Sequence, residues 1–69
     1  MPVAAAPEAY EVAIVESEHG WLVQIRDGVG AVVSERACRY GAEARTYAST
    51  IRQHLYWLSP EKFREYYRL

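Results

Sequence analysis

Any chemistry in this chain would have to come from one thiol, Cys38, two imidazoles, His19 and His54, and the hydroxyls of Ser17, Ser34, Ser49 and Ser59. A nucleophile needs a base within hydrogen-bond reach and a third group to orient that base. The only pairing to weigh is Cys38 with His54, and no nucleophile elbow surrounds either one. Cys38 reads as a small apolar packing residue. His19 falls in a turn, and His54 borders the apolar stripe of a helix. Metal binding finds no support either, because two histidines and one cysteine, widely spaced, match no ligand pattern. Gly28-Val29-Gly30 lacks the third glycine, the lysine and the following helix of a phosphate loop, so it reads as a turn. The expectation is a protein without catalytic residues, metal or cofactor.

The chain that must position these groups has 69 residues. That is one small domain, which buries only about 60% of its unfolded surface. Its nine aromatics, Trp21, Trp57, Phe63 and six tyrosines, supply large buried areas from few residues. Hydrophobic residues at 51% and charged residues at 25% give a globular composition. The net charge of −1 argues against a general nucleic-acid coat or a basic membrane binder. No apolar run approaches the roughly 18 residues of a membrane span. Residues 1–9, MPVAAAPEA, read as a flexible N-terminal tail and lack the basic and apolar regions of a signal peptide. With a lone thiol, the expected location is cytoplasmic.

Residues 10–17, YEVAIVES, alternate, with Tyr10, Val12 and Ile14 on one face. Residues 21–26, WLVQIR, alternate again, with Trp21, Val23 and Ile25 together. A two-residue turn at His19-Gly20 would set Ile14 opposite Ile25. Asp27-Gly28 signals a second hairpin. A third strand is expected from near Val29, with Val32 on the face of Trp21, Val23 and Ile25 after a loop of two or four residues. Further alternation would bring Ser34 and Arg36 to that face, so a bulge or early exit is expected before Cys38 and Tyr40. From about Ala42 to Leu58, the residues Ala44, Tyr47, Ala48, Ile51, Leu55 and Leu58 make a helical stripe. Ser59-Pro60 caps and opens a short helix over about 60–68, with Phe63, Tyr67 and Tyr66 as inner residues. Trp57 points off the main stripe and is expected to pack on Phe63 or Tyr67. The fold class is α+β: residues 10–69 form a single β-β-β-α-α domain, a three-stranded antiparallel sheet packed on one long helix and followed by a short C-terminal helix.

Two surfaces remain. One helix covers one sheet face, and the other face would carry Ala13, Val15, Leu22, Ala31 and Val33, bordered by Glu11, Gln24, Arg26 and Val29. A wet sheet face usually reads polar, and a contiguous apolar patch marks an interaction site. The short helix folding over that face is the alternative. The second surface is a helix flank of Arg45, Ser49, Arg52 and Tyr56, spaced to fall on one line. Arg and Tyr can hold phosphates and stack on bases, or anchor an acidic protein. Charge is also divided: residues 1–35 hold six acids and one base, and residues 36–69 seven bases and three acids.

Tyr40-Gly-Ala-Glu-Ala with Ala48, and Trp21 with Val23 and Ile25, resemble the helix opening and second strand of small β-β-β-α families, over residues 10–58. One is the arm-type DNA-binding domain of phage integrases, whose outer sheet face reads the major groove with Arg and Lys. This chain has a single base there, Arg26, beside Glu11 and aliphatics, and so departs from that pattern. The other is the HicB-type antitoxin module, which binds a toxin protein. The Tyr10-x-Val12 opening is similar, but the Pro-Gly-Cys turn of that family is missing. In class, the chain also looks like small phage inhibitors such as anti-CRISPR proteins. The resulting expectation is a small non-catalytic protein-binding module, a phage or mobile-element inhibitor or an antitoxin, that occludes the surface of another protein. Its partner-binding residues would be Val15, Leu22, Gln24, Arg26 and Val33 on the sheet and Arg45, Ser49, Arg52 and Tyr56 on the helix. The alternatives are a nucleic-acid-binding regulator using Arg39, Arg45, Arg52 and Tyr56, and a structural homodimer.

Overall fold

A computed structural model describes residues 10–69. The tail expected over residues 1–9 lies outside the described residues. Strands β1 (Glu11–Ser17), β2 (Gly20–Arg26) and β3 (Val32–Cys38) form one antiparallel sheet in the order β1-β2-β3. Helices α1 (Gly41–Trp57) and α2 (Pro60–Tyr67) follow. The expected β-β-β-α-α architecture is the one observed.

The first hairpin turns one residue earlier than expected. Glu18 and His19 form the loop, Ser17 pairs with Gly20, and Ile14 lies opposite Val23 while Val12 lies opposite Ile25. The shift is two residues, so the apolar faces still coincide. Neither loop residue has positive φ, and Gly20 takes the strain instead at φ 142°. A Cβ on Gly20 would sit 2.6 Å from the Cys38 carbonyl oxygen, so β3 can close on β2 here only against a glycine.

The second loop has five residues, 27–31, neither two nor four. Gly30 N–H donates to the Asp27 carbonyl at 3.0 Å and Asp27 N–H to the Ala31 carbonyl at 2.9 Å. The Asp27 carboxylate accepts from Val29 N–H and Ala31 N–H at 3.0 and 2.9 Å, and Gly30 takes φ 88°. This is a type I turn closed by a left-handed glycine. The odd loop length pairs Val32 with Arg26 and moves it off the helix side, against expectation. A bulge at Val33 then restores the register, so that Ser34, Arg36 and Cys38 lie opposite Ile25, Val23 and Trp21. The bulge thus sits at the start of β3, and the strand runs on through Cys38. Its reward is visible on the helix side: Cys38 is buried, and the Arg36 guanidinium lies 4.4 Å over the Tyr47 ring.

The core joins Val12, Val23, Ile25 and Cys38 of the sheet to Ala44, Ala48 and Ile51 of α1 and Phe63 of α2. The small alanines let α1 approach the sheet closely. Glu43, in the first turn of α1, accepts from the Arg39 N–H at 3.1 Å. Ser59 caps α2, accepting from Lys62 N–H at 3.2 Å, with Pro60 in its first turn. The helix α2 closes the end of the sandwich: the Phe63 ring lies 5.3 Å from Tyr10 and 4.8 Å from Tyr67. Both helices therefore pack on one side of the sheet. No helix among the described residues is long and apolar enough to cross a membrane.

Candidate functional site

The sheet face turned away from the helices carries Ala13, Val15, Leu22 and Val33 as expected, with Glu11, Gln24 and Arg26 among them. Val15, Leu22 and Ala37, one from each strand, form a row across it, with Ala13 beside Val15. None of these side chains belongs to the core or to the set packed against it. Gln24, the central residue of the next row, lies between Ala13 and Glu35. Its amide nitrogen donates to Glu35 Oε2 at 2.8 Å, and its amide oxygen accepts from Arg26 Nε and Nη2 at 3.2 and 2.7 Å. This relay divides the face. Val15, Leu22 and Ala37 lie on one side of it, and exposed Val32 and Val33 on the other. The single apolar patch expected from the sequence is therefore two smaller ones. Ala31 and Val29 belong to the loop and not to the face.

On α1, Arg45, Ser49, Arg52 and Tyr56 are all exposed, as their spacing requires. They are not equally free. Arg52 Nη2 donates to the Val12 carbonyl at 3.1 Å, which binds the guanidinium to the outer edge of β1. Tyr56 is 85% exposed. Trp57 is 72% exposed and does not reach Phe63 or Tyr67 as expected. The chain leaves α1 toward the opposite side, so His54 receives the aromatic residues of α2 instead. Its ring centroid lies 4.7 Å from that of Tyr66 and 5.7 Å from that of Tyr67.

The His54–Tyr67 contact escaped the sequence reading. Nδ1 and the phenol oxygen are 2.6 Å apart. Burial, with smaller contributions from Tyr47 and Tyr66, pushes the Tyr67 hydroxyl up to about 12. The phenol thus keeps its proton up to strong alkali and shares a hydrogen bond with Nδ1. Each residue borders an apolar stripe on its own helix, and only the angle between the helices brings them together. Cys38 is far from this pair. Its ladder partner Trp21 lies under Gly41, the first residue of α1, and His54 follows about 20 Å further along that helix. His19 is exposed in its turn. Open grooves of about 330 and 350 Å³ flank α2, the first lined by Leu58, Lys62, Glu65 and Tyr66, the second by Ser59, Pro60, Glu61 and Arg64. No cluster of three or more His, Cys, Asp or Glu side chains suited to a metal ion occurs among the described residues.

No family profile, no curated protein and no solved structure matches this chain.

Proposed function

We propose that this chain is a small, non-catalytic, cytoplasmic protein-binding module that occludes its partner's surface with the outer face of its sheet, in the manner of a phage or mobile-element inhibitor or an antitoxin. One observation carries the reading: both helices pack on the same side of the sheet, and the row Val15–Leu22–Ala37 is left outside the core. Half-exposed aliphatic side chains placed in a row on a face that no described helix covers serve recognition better than solubility. The edges of the sheet add support. Arg52 blocks part of the β1 edge, and β3 carries a bulge at Val33 and a charged Arg36 turned to the helix side. Such devices oppose edge pairing, including pairing with a second copy, and leave the face as the place to bind. With Arg52 engaged, the helix flank keeps fewer cations for phosphates.

The test is affinity capture from the native host, comparing the wild-type chain with Leu22→Lys and with the double variant Arg45→Ala/Tyr56→Ala. A partner lost with Leu22→Lys and kept with the double variant is the expected result. The reverse pattern, or salt-sensitive gel shifts with any duplex, would replace the sheet face by the helix flank.

A further inference from the structure

Building on the sheet-face reading, we infer that the segment this face receives is a cationic, amphipathic stretch of the partner protein. The distribution of charge carries the inference. Over residues 10–38 the sheet layer holds the carboxylates Glu11, Glu16, Glu18, Asp27 and Glu35 against two guanidiniums, Arg26 and Arg36. Arg36 is turned to the helix side over Tyr47. Arg26 is the one base on the outer face, and its guanidinium is held by the Gln24 amide oxygen. No Lys or Arg lies within ion-pair distance of any carboxylate among the described residues, and the one charged contact is Glu18 with His19 at 3.9 Å in an exposed turn. Glu35 therefore sits beside the aliphatic residues with no cation among the described residues within ion-pair distance, and Glu11 stands opposite Arg26 in the register while that guanidinium is taken by the Gln24 amide oxygen.

The spacing suits a partner with both properties. Glu35 is one register position from Ala37 along the face, and Glu11 one from Ala13. A segment laid over Val15, Leu22 and Ala37 would bring its flanking side chains to these carboxylates. Lys or Arg there meets an opposite charge, and Asp or Glu meets a like one, so the face discriminates by sign as well as by shape. The helical layer has the opposite balance, six bases against three acids over residues 39–69, so an acidic partner would be drawn to the other side of the molecule.

Three synthetic peptides that alternate leucine with lysine, glutamine or glutamate test this, added to the isotope-labelled full chain at low salt and followed by backbone amide shifts. The expected result is that the lysine peptide moves the amides of Val15, Leu22, Glu35 and Ala37, and that Glu11→Gln and Glu35→Gln each weaken it about threefold to tenfold, while Glu61→Gln on α2 does not. Equal binding of the glutamine or glutamate peptide at the same amides would overturn the cationic assignment and leave the sheet-face reading intact. Failure of every peptide to move these amides would likewise overturn it, and the capture comparison with Leu22→Lys then decides the sheet-face reading separately.

Discussion

Arg52 on α1 donates a hydrogen bond from Nη2 to the backbone carbonyl of Val12 on β1, 3.1 Å away and forty positions earlier in the chain. The helix is thereby fastened to the outer edge of the sheet, and one edge acceptor is closed to any incoming strand. A side chain that the sequence offers as a ligand-binding arginine is in the fold a brace and an edge guard. Replacing it with alanine should cost about 1 kcal/mol, since the donor is charged but lies partly in solvent. It should also promote self-association at high concentration. Chemical denaturation and size-exclusion chromatography at several concentrations measure the two effects. Unchanged stability and an unchanged elution volume would show that the bond guards nothing.

Gly20→Ala should be among the most damaging single-methyl additions in the chain. The new Cβ meets the Cys38 carbonyl oxygen at 2.6 Å, and the backbone stays at φ 142°. Strain of this kind costs about 1–3 kcal/mol before the clash is counted. In a domain of this size, each kcal/mol lowers the melting temperature by about 4–8 °C. Thermal unfolding followed by circular dichroism should show a fall of about 8–16 °C, taking about 2 kcal/mol as the expected loss.

Tyr67 makes stability sensitive to strong alkali. Its folded pKa of about 12 lies above the ordinary tyrosine value of 10.0. The folded chain therefore holds this proton more tightly than the unfolded chain. The contribution is complete below pH 10 and is lost as pH rises from there through about 12. Urea midpoints measured across that range should fall for the wild type, and more gently for Tyr67→Phe. At neutral pH the same variant should lose about 1 kcal/mol, because the His54–Tyr67 hydrogen bond is lost in a half-buried site. Parallel alkaline slopes for the two proteins would remove Tyr67 from the account.

Arg36 and Tyr47 should couple. The guanidinium lies 4.4 Å over the ring, on the side of the sheet where a charge would otherwise meet apolar neighbours. A double-mutant cycle with Arg36→Ala and Tyr47→Leu should return about 0.5–1 kcal/mol of interaction. An interaction within experimental error of zero would mean that the stacked arrangement adds nothing in solution.

Arg68→Gly should stabilise the chain. Arg68 closes α2 in the left-handed region at φ 58°, ψ 48°, the one non-glycine residue with positive φ among those described. Glycine enters that region without the side-chain penalty of about 1 kcal/mol. A small rise in the denaturation midpoint is expected.

Leu22 and Val23 show how far the sequence reaches. Alternation alone puts them on opposite faces, and they are found there, Val23 in the core and Leu22 outside it. The stripe Ala44, Tyr47, Ala48, Ile51, Leu55 and Leu58 and the Ser59-Pro60 start of α2 are equally local, because periodicity and capping involve only near neighbours in the chain. In the first hairpin the turn comes one residue earlier than expected and the register differs by two, which leaves the faces unchanged because a shift of two preserves the parity of side chains. On β3 two effects of single residues, an odd loop and a bulge, each reverse parity, and no local signal says that both occur.

What only the tertiary structure decided is which groups meet across long stretches of chain. The Glu35–Gln24–Arg26 relay that splits the outer face depends on a cross-strand register set by that bulge. Arg52 on Val12 and Tyr67 on His54 depend on the angles at which helices cross the sheet and each other. Hydrophobic patterning fixes the side of an element a residue occupies, because burial is insensitive to direction within that side. Hydrogen bonds hold over a few tenths of an ångström and a limited cone, so their partners are settled only once the backbones are packed in place.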